Sequence, residues 1–543
     1  MKRLGTVLAA ATMVAMAALG LASCGGSGGK EGGTLTGTYA SFPDYLDPAL
    51  SYTQEGWTAM YDTYIPLLTY ARANGKAGSE IVPGLAKSLP RISNGGKTYT
   101  LELRKGLKYS DGTPVKASDF THAVERTIKL NSGGSPFYTA AIVGAEKFQE
   151  TKSGGIPGIK TNDKTGEIVV ELNRPRGTFT NELGMMFVAP VPAGTPMKNL
   201  SGDPPPATGP YEIVSSDPGR GWTYERNPQW EKNNAKLMPD LPSGHVDKIE
   251  ITVVRNDSTQ VNEVEQGSSD WMQALVPTDR YAEVKGKYEG TQFRVEPTIS
   301  NYYFWMNTTR PPFDDLKVRQ AVNYAVNRDA LERIYAGSLK GIQQILPPGM
   351  PGYKKLELYP YDMAKAKKLI AEANPSDRDI TVWTDDEPGQ DEAGAYYQDV
   401  LKKLGFDAKL KVINADNYFT IIGNQTTPDL DTGWVDWFED YPHPNDFFQP
   451  LLSGESILPT NNGNFAEIDD PALNAKIRKL GEEEFGPKQE AEYAALDREY
   501  MEQAPWAPYG TRTLSTFVSS AIDLDKVIFN PTFGHSLASF QFK

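Results

Sequence analysis

Cysteine and histidine are nearly absent from this chain. One Cys, Cys24, and four His, His122, His245, His443 and His535, occur among 543 residues. A single Cys excludes an intramolecular disulfide and any Cys-based zinc site. The histidines are scattered, with no H-E-x-x-H among them, so no metal centre and no cofactor are expected. A basic excess is missing as well. The formal net charge is −14, the wrong sign for wrapping nucleic acid. What is present is ordinary for a folded protein: 39% hydrophobic and 23% charged residues, on a length that allows two to four domains.

The first residues read as an address. Lys2 and Arg3 precede an apolar run over residues 6–21, too short for a comfortable membrane span. It ends in Leu21-Ala22-Ser23-Cys24, with the only Cys where a signal peptidase would cut. This resembles a bacterial lipobox, in which Cys24 becomes a lipidated N-terminus; the plainer alternative is a secretory signal that happens to hold a Cys. Residues 25–33, GGSGGKEGG, read as a flexible tether. Their G-G-S-G-G matches the serine-hydrolase elbow only in letters, since no strand precedes it and no helix follows. Loss of residues 1–23 takes away two positive charges and leaves the body more acidic still.

The body alternates strand and helix signals. Residues 34–39 read as a first strand, and Trp57, Met60, Tyr61 and Tyr64 recur at helical spacing. Tyr99, Leu101 and Leu103 alternate as a strand, and Ser118 is placed to cap a helix carrying Phe120, Val124 and Ile128. Gly95-Gly96-Lys97-Thr98 lacks the first glycine of a phosphate loop and reads as a hairpin turn. Asp314 or Asp315 caps a helix with Val318, Val322, Ala325 and Val326 inward; its Arg319 reads as a surface or inter-element salt bridge. Residues 359–413 form helix, strand, helix and strand, with Gly405 as a stop. Pro471 and Pro487 open two later helices. Residues 504–509 end the second, and a strand follows at Phe517. Such alternation argues for an open α/β sheet, whose ligands sit at the carboxyl ends of strands.

Several stretches carry a family resemblance. K-T-Y-T-L-E-L-R-K-G-L-K-Y-S-D-G-T-P-V-K-A-S-D-F, the T-G-P-Y at 208–211, N-P-Q-W at 227–230, the long run from Phe304 to Arg328, and Y-D-M-A-K-A at 361–366 occur in that order. They resemble the extracytoplasmic solute-binding proteins of the peptide/nickel family of ABC importers, across residues 40 to 510. Met363 stands where that family has Pro. The resemblance implies an α/β, two-lobed periplasmic-binding-protein-like fold with an extra subdomain and discontinuous lobes. It divides the chain into 1–23 signal, 24–33 tether, 34–71, 205–297 and 508–543 as lobe I, 72–204 as the extra subdomain, and 298–507 as lobe II. It also implies a monomeric receptor, not an enzyme, lipid-anchored outside the cell membrane, that passes its solute to a permease and ATPase.

Residues 433–448, GWVDWFEDYPHPNDFF, are the candidate site. Aromatics and carboxylates packed together suit an apolar cleft with a few fixed charges. By resemblance, Asp440 holds the α-amino group of a peptide, and Trp437 and Phe438 line the cleft beside it. Trp434, Tyr441, Tyr302 and Tyr303 are further candidates. His443 stands where relatives often have Asp and is expected in a turn or at the surface. The leading alternative ligand is an oligosaccharide stacked on Trp434, Trp437, Phe438 and Tyr441. A nickel-chelate receptor is weaker with so few His, and a hydrolase using Glu439 and Asp440 weaker still, because adjacent side chains point apart.

Overall fold

The structure, a computed structural model, describes residues 29–543 apart from Pro388. The signal sequence and the lipid-attachment candidate Cys24 lie outside the described residues. The glycine-rich run expected to be free through Gly33 is already fastened at Lys30, whose N–H donates to the Phe542 carbonyl at 2.8 Å.

Ser300–Met306 is the central strand of the second lobe. All seven of its residues are buried, as befits a strand covered on both faces. Its neighbours are Thr432–Phe438 on one side and Trp506–Val518 on the other, both antiparallel. Beyond Thr432–Phe438 lie Asp379–Asp385 and Asp407–Ile413, parallel to each other. The helix Gln390–Lys403 connects that parallel pair, and Gly405, with φ of +93°, ends the turn after it.

Trp506–Val518 joins the lobes. Its first half pairs with Ser300–Met306 and its second half with Phe293–Pro297 and Trp271–Met272. The sheet then continues through Thr34–Tyr39, Lys248–Val253, Gly221–Arg226 and Tyr211–Asp217. Where Pro508 enters, the register slips opposite Tyr302 and Tyr303. Proline has no N–H for the ladder, and a bulge accommodates it. The sequence pattern places a helix end over residues 504–509 and a strand only at Phe517; the strand in fact starts eleven residues earlier, at Trp506.

A separate antiparallel sheet, Arg91–Ser93, Thr98–Glu102, Glu167–Glu171 and Ile159–Asn162, packs with the helix Ala117–Lys129. Ser118 does not cap that helix. Asp119 does, reaching back to the Lys116 N–H at 2.8 Å, while Ser118 bonds Asp163. The helix is tied to the first lobe by Arg126, whose guanidinium meets both Asp47 oxygens at 2.8 and 2.7 Å with both side chains fully buried. The Trp57 helix stops at Met60; Tyr61 and Tyr64 remain buried in the segment that follows. Arg319 makes no surface salt bridge. It is 6% exposed and donates to the backbone carbonyls of Phe313, Asp314 and Gln503.

Two large apolar cores result. One draws on residues 35 to 271 and 518 to 540, the other on residues 299 to 509. Tyr441 is the exception among the described residues: it belongs to the second lobe by sequence and packs in the first lobe's core.

Candidate functional site

Thr432–Phe438 is buried over its first four residues and half-buried over its last three. Its carboxyl end therefore emerges from the sheet where the lobes meet, the place expected for a ligand site in an α/β sheet. The chain turns through residues 439–444 and enters the helix Asn445–Leu452. Asp446, in the first turn of that helix, holds the loop. Its Oδ2 accepts from the Asp440 N–H at 2.9 Å and from Trp437 Nε1 at 3.2 Å.

The adjacent carboxyls part company. Glu439 Oε1 accepts from Thr532 Oγ1 at 2.9 Å, and Asp440 Oδ2 accepts from the Tyr52 hydroxyl at 2.9 Å. Both donors come from the first lobe.

Burial pushes all three carboxyls up. Asp440 rises to about 7, and Glu439 and Asp446 rise well above the ordinary carboxylate range. The nearness of Asp440 raises Asp446 further. Among the described residues none of the three forms an ion pair with Lys, Arg or His, and burial is the largest cause of each shift. Such carboxyls are a poor bargain for stability alone, because burying charge without a partner is costly.

A cavity of about 770 Å³ opens beside them, lined by Tyr52, Phe137, Arg174, Trp437, Asp440 and Tyr441 among others. Tyr441 meets the edge of Phe137 with ring centres 6.0 Å apart. Two other arginines on its wall are engaged, Arg176 with Glu182 and Arg478 with Glu455.

The structure thus brings Asp440, Trp437 and Tyr441 to one cavity and sets the other candidates behind it. Trp434 is 3% exposed, stacked between Tyr418 and Tyr302 at 5.6 and 6.2 Å. Phe438 stands edge-on to Tyr302 at 6.2 Å. Tyr303 is in the core, stacked on Trp506 at 3.6 Å. His443 occupies a turn but is buried, not at the surface. Its Nδ1 accepts from the Asn445 N–H at 3.1 Å, its ring packs 4.5 Å from Phe485, and burial drives its pKa down to about 3. Tyr52, Thr532 and Phe137 have no local signature that would mark them. Asp446 does: it sits six residues after Asp440 in the first turn of a helix.

The family described as bacterial extracellular solute-binding proteins, family 5 Middle, matches residues 80–458. The chain is similar to heme-binding protein A of Haemophilus influenzae, 27% identical over 475 residues, covering 80% of this chain and 79% of that one. It is similar to the oligopeptide-binding protein OppA of Bacillus subtilis, 24% identical over 473 residues, covering 81% and 83%. In structure it resembles clavulanic acid biosynthesis oligopeptide binding protein 2, with a TM-score of 0.85 at 24% identity, covering 94% of this chain and 96% of that one.

Proposed function

The chain belongs to family 5 of the bacterial extracellular solute-binding proteins, and from that premise we propose that it captures oligopeptides between its lobes for an ABC importer. The observation that carries the ligand class is the carboxyl pair Asp440 and Asp446, buried on the wall of the interlobe cavity with no salt-bridge partner among the described residues. A peptide α-ammonium brings three donors and the missing charge, and a charge-assisted hydrogen bond of this kind contributes roughly 1.5–3 kcal/mol. Asp440 anchors the amine. Trp437 and Tyr441 wall the first residues, with Phe438, Trp434 and Tyr302 holding that wall in place and Tyr303 supporting the strand behind it.

The relative named for oligopeptides supports this reading. A saccharide finds less: Trp434 has aromatic rings stacked near both faces and does not line the cavity. The rest of the proposal follows the family's organisation. Lobe I is 34–71, 205–297 and 508–543, with 72–204 as its extra subdomain, and 298–507 is lobe II. The protein works as a monomer, held outside the cell membrane by lipid on Cys24, and hands its load to permease and ATPase subunits without chemical change.

Calorimetric titration with tri- to pentapeptides, their N-acetylated forms and cello-oligosaccharides tests this. Free-amine peptides are expected to bind and acetylated ones to bind weakly. Equal binding of both forms, preference for saccharide, or turnover of either ligand would overturn the proposal.

A further inference from the structure

Away from the strand that joins the lobes, the Gly177 N–H donates to the Gly481 carbonyl at 2.8 Å. Glycine is required for this approach. A Cβ at Gly177 would lie 1.9 Å from the Glu483 carbonyl oxygen. The residues around this contact face two spaces. Arg176, Thr178 and Gly481 line the cavity of Asp440, whereas Gly177 and Thr180 line a second cavity of about 720 Å³, and Glu482 borders both. The second is nearly as large as the first, and the Gly177–Gly481 contact stands between the two.

The second cavity has its own chemistry. Leu89, Ile92 and Tyr99 line it from the first lobe, and Pro442, His443 and Phe485 from the second. Leu89 is a large apolar side chain left 47% exposed there. His443 Nδ1 accepts the Asn445 N–H, so that nitrogen carries the lone pair and the neutral ring's proton is on Nε2. That Nε2–H is buried and has no partner. It offers a donor, not a lone pair for a metal. Phe485, half-buried on the loop between Pro471–Glu482 and Pro487–Gln503, covers the imidazole and must turn aside for a ligand to reach it. Glu482 and Glu484 on the wall disfavour a carboxylate. The group that fits is uncharged, with an apolar body and a carbonyl or hydroxyl acceptor.

A chain crossing at this contact would meet one backbone donor and one backbone acceptor, the pair that an extended peptide satisfies in β-strand addition. We propose that the second cavity receives the distal, apolar residues of peptides too long for the first, with the ligand's backbone replacing the Gly177–Gly481 bond as it crosses. This rests on the oligopeptide reading of the first cavity.

The test is calorimetry on the full chain with two probes: trialanine, and a C-terminally amidated nonapeptide of six alanines followed by three leucines, whose distal end is uncharged. Leu89→Asp is the variant, its exposed position making loss of the fold no concern. The nonapeptide is expected to weaken tenfold or more, and trialanine to change less than twofold. Equal change for both probes, or no change for either, would overturn the proposal while leaving the first cavity's reading intact. Failure of both probes to bind the unaltered protein would overturn that reading and this one together.

Discussion

The Tyr52 hydroxyl donates to Asp440 Oδ2 at 2.9 Å, joining residues 388 positions apart across the interlobe cavity. It is the one hydrogen bond that favours the charged form of this carboxyl against the burial that opposes it. The phenol thus fills one of the acceptor positions that a ligand's ammonium would use, and keeps the carboxyl oriented until then.

Asp440→Asn removes the charge and keeps the shape. Affinity for free-amine peptides is expected to fall roughly 10–100-fold, the equivalent of a charge-assisted hydrogen bond. The ligand-free Tm should hold or rise, because a buried carboxyl with no cation beside it is removed. Titration and thermal melting on the same variant check both. A large drop in Tm would assign Asp440 to structure instead.

The pH dependence has a definite sign. Asp440 is raised to about 7 in the folded protein, against about 3.9 in an unfolded chain. Its proton is held more tightly when folded, so its contribution to stability is complete below about pH 4 and is lost as pH climbs through about 7. Ligand binding runs the other way, because an ammonium needs the carboxylate. Affinity should rise from about pH 5 to about pH 8, with protons released on binding below neutrality. Calorimetry in two buffers of different ionisation enthalpy measures that release. In Tyr52→Phe the pH dependence should shift upward, since the bond that lowers the Asp440 pKa is gone. His443 should contribute nothing over this range, as burial holds it near 3.

Arg126 and Asp47 make a bidentate buried ion pair in the first lobe. Both side chains are fully buried, and the guanidinium also donates to the Pro196 and Lys198 carbonyls. Arg126→Met leaves Asp47 charged and unpaired in the core. The expected cost is about 3–5 kcal/mol, read as a lower urea midpoint at unchanged slope. Arg126→Lys should recover little, because one ammonium cannot meet both carboxylate oxygens.

What the sequence made legible was local. The helix Gln390–Lys403 follows from the helix–strand alternation and from Gly405, and it ends two residues before that glycine. The strand Trp506–Val518 did not, since prolines at 505 and 508 argue against a strand and only its partners in two lobes make it one. Arg319 and His443 were misjudged for a shared reason: polarity in a sequence says nothing of whether backbone groups nearby will satisfy it in the interior. Asp440 was legible because its motif is contiguous. Tyr52 and Thr532, which hold the adjacent carboxyls, were not, because they lie 388 and 93 residues away along the chain and only the fold brings them together.

Gly177→Ala tests how closely the lobes must approach. The added Cβ would meet the Glu483 carbonyl at 1.9 Å, and backbone cannot step aside as a flexible side chain does. In a conformation with the lobes apart this contact does not exist, so the clash acts on the closed form alone. In the closed state the overpacking costs about 1–3 kcal/mol, which shifts the balance toward open forms and weakens binding of tripeptides, short enough to leave the contact in place, by roughly tenfold or more. The loss should appear in dissociation, because closing is what retains the ligand. Stopped-flow release measures the rate, and small-angle scattering measures whether the compaction seen with peptide shrinks. Unchanged release from Gly177→Ala would mean that the lobes hold their ligand without this contact, and that retention rests on Tyr52, Asp440 and the aromatic wall.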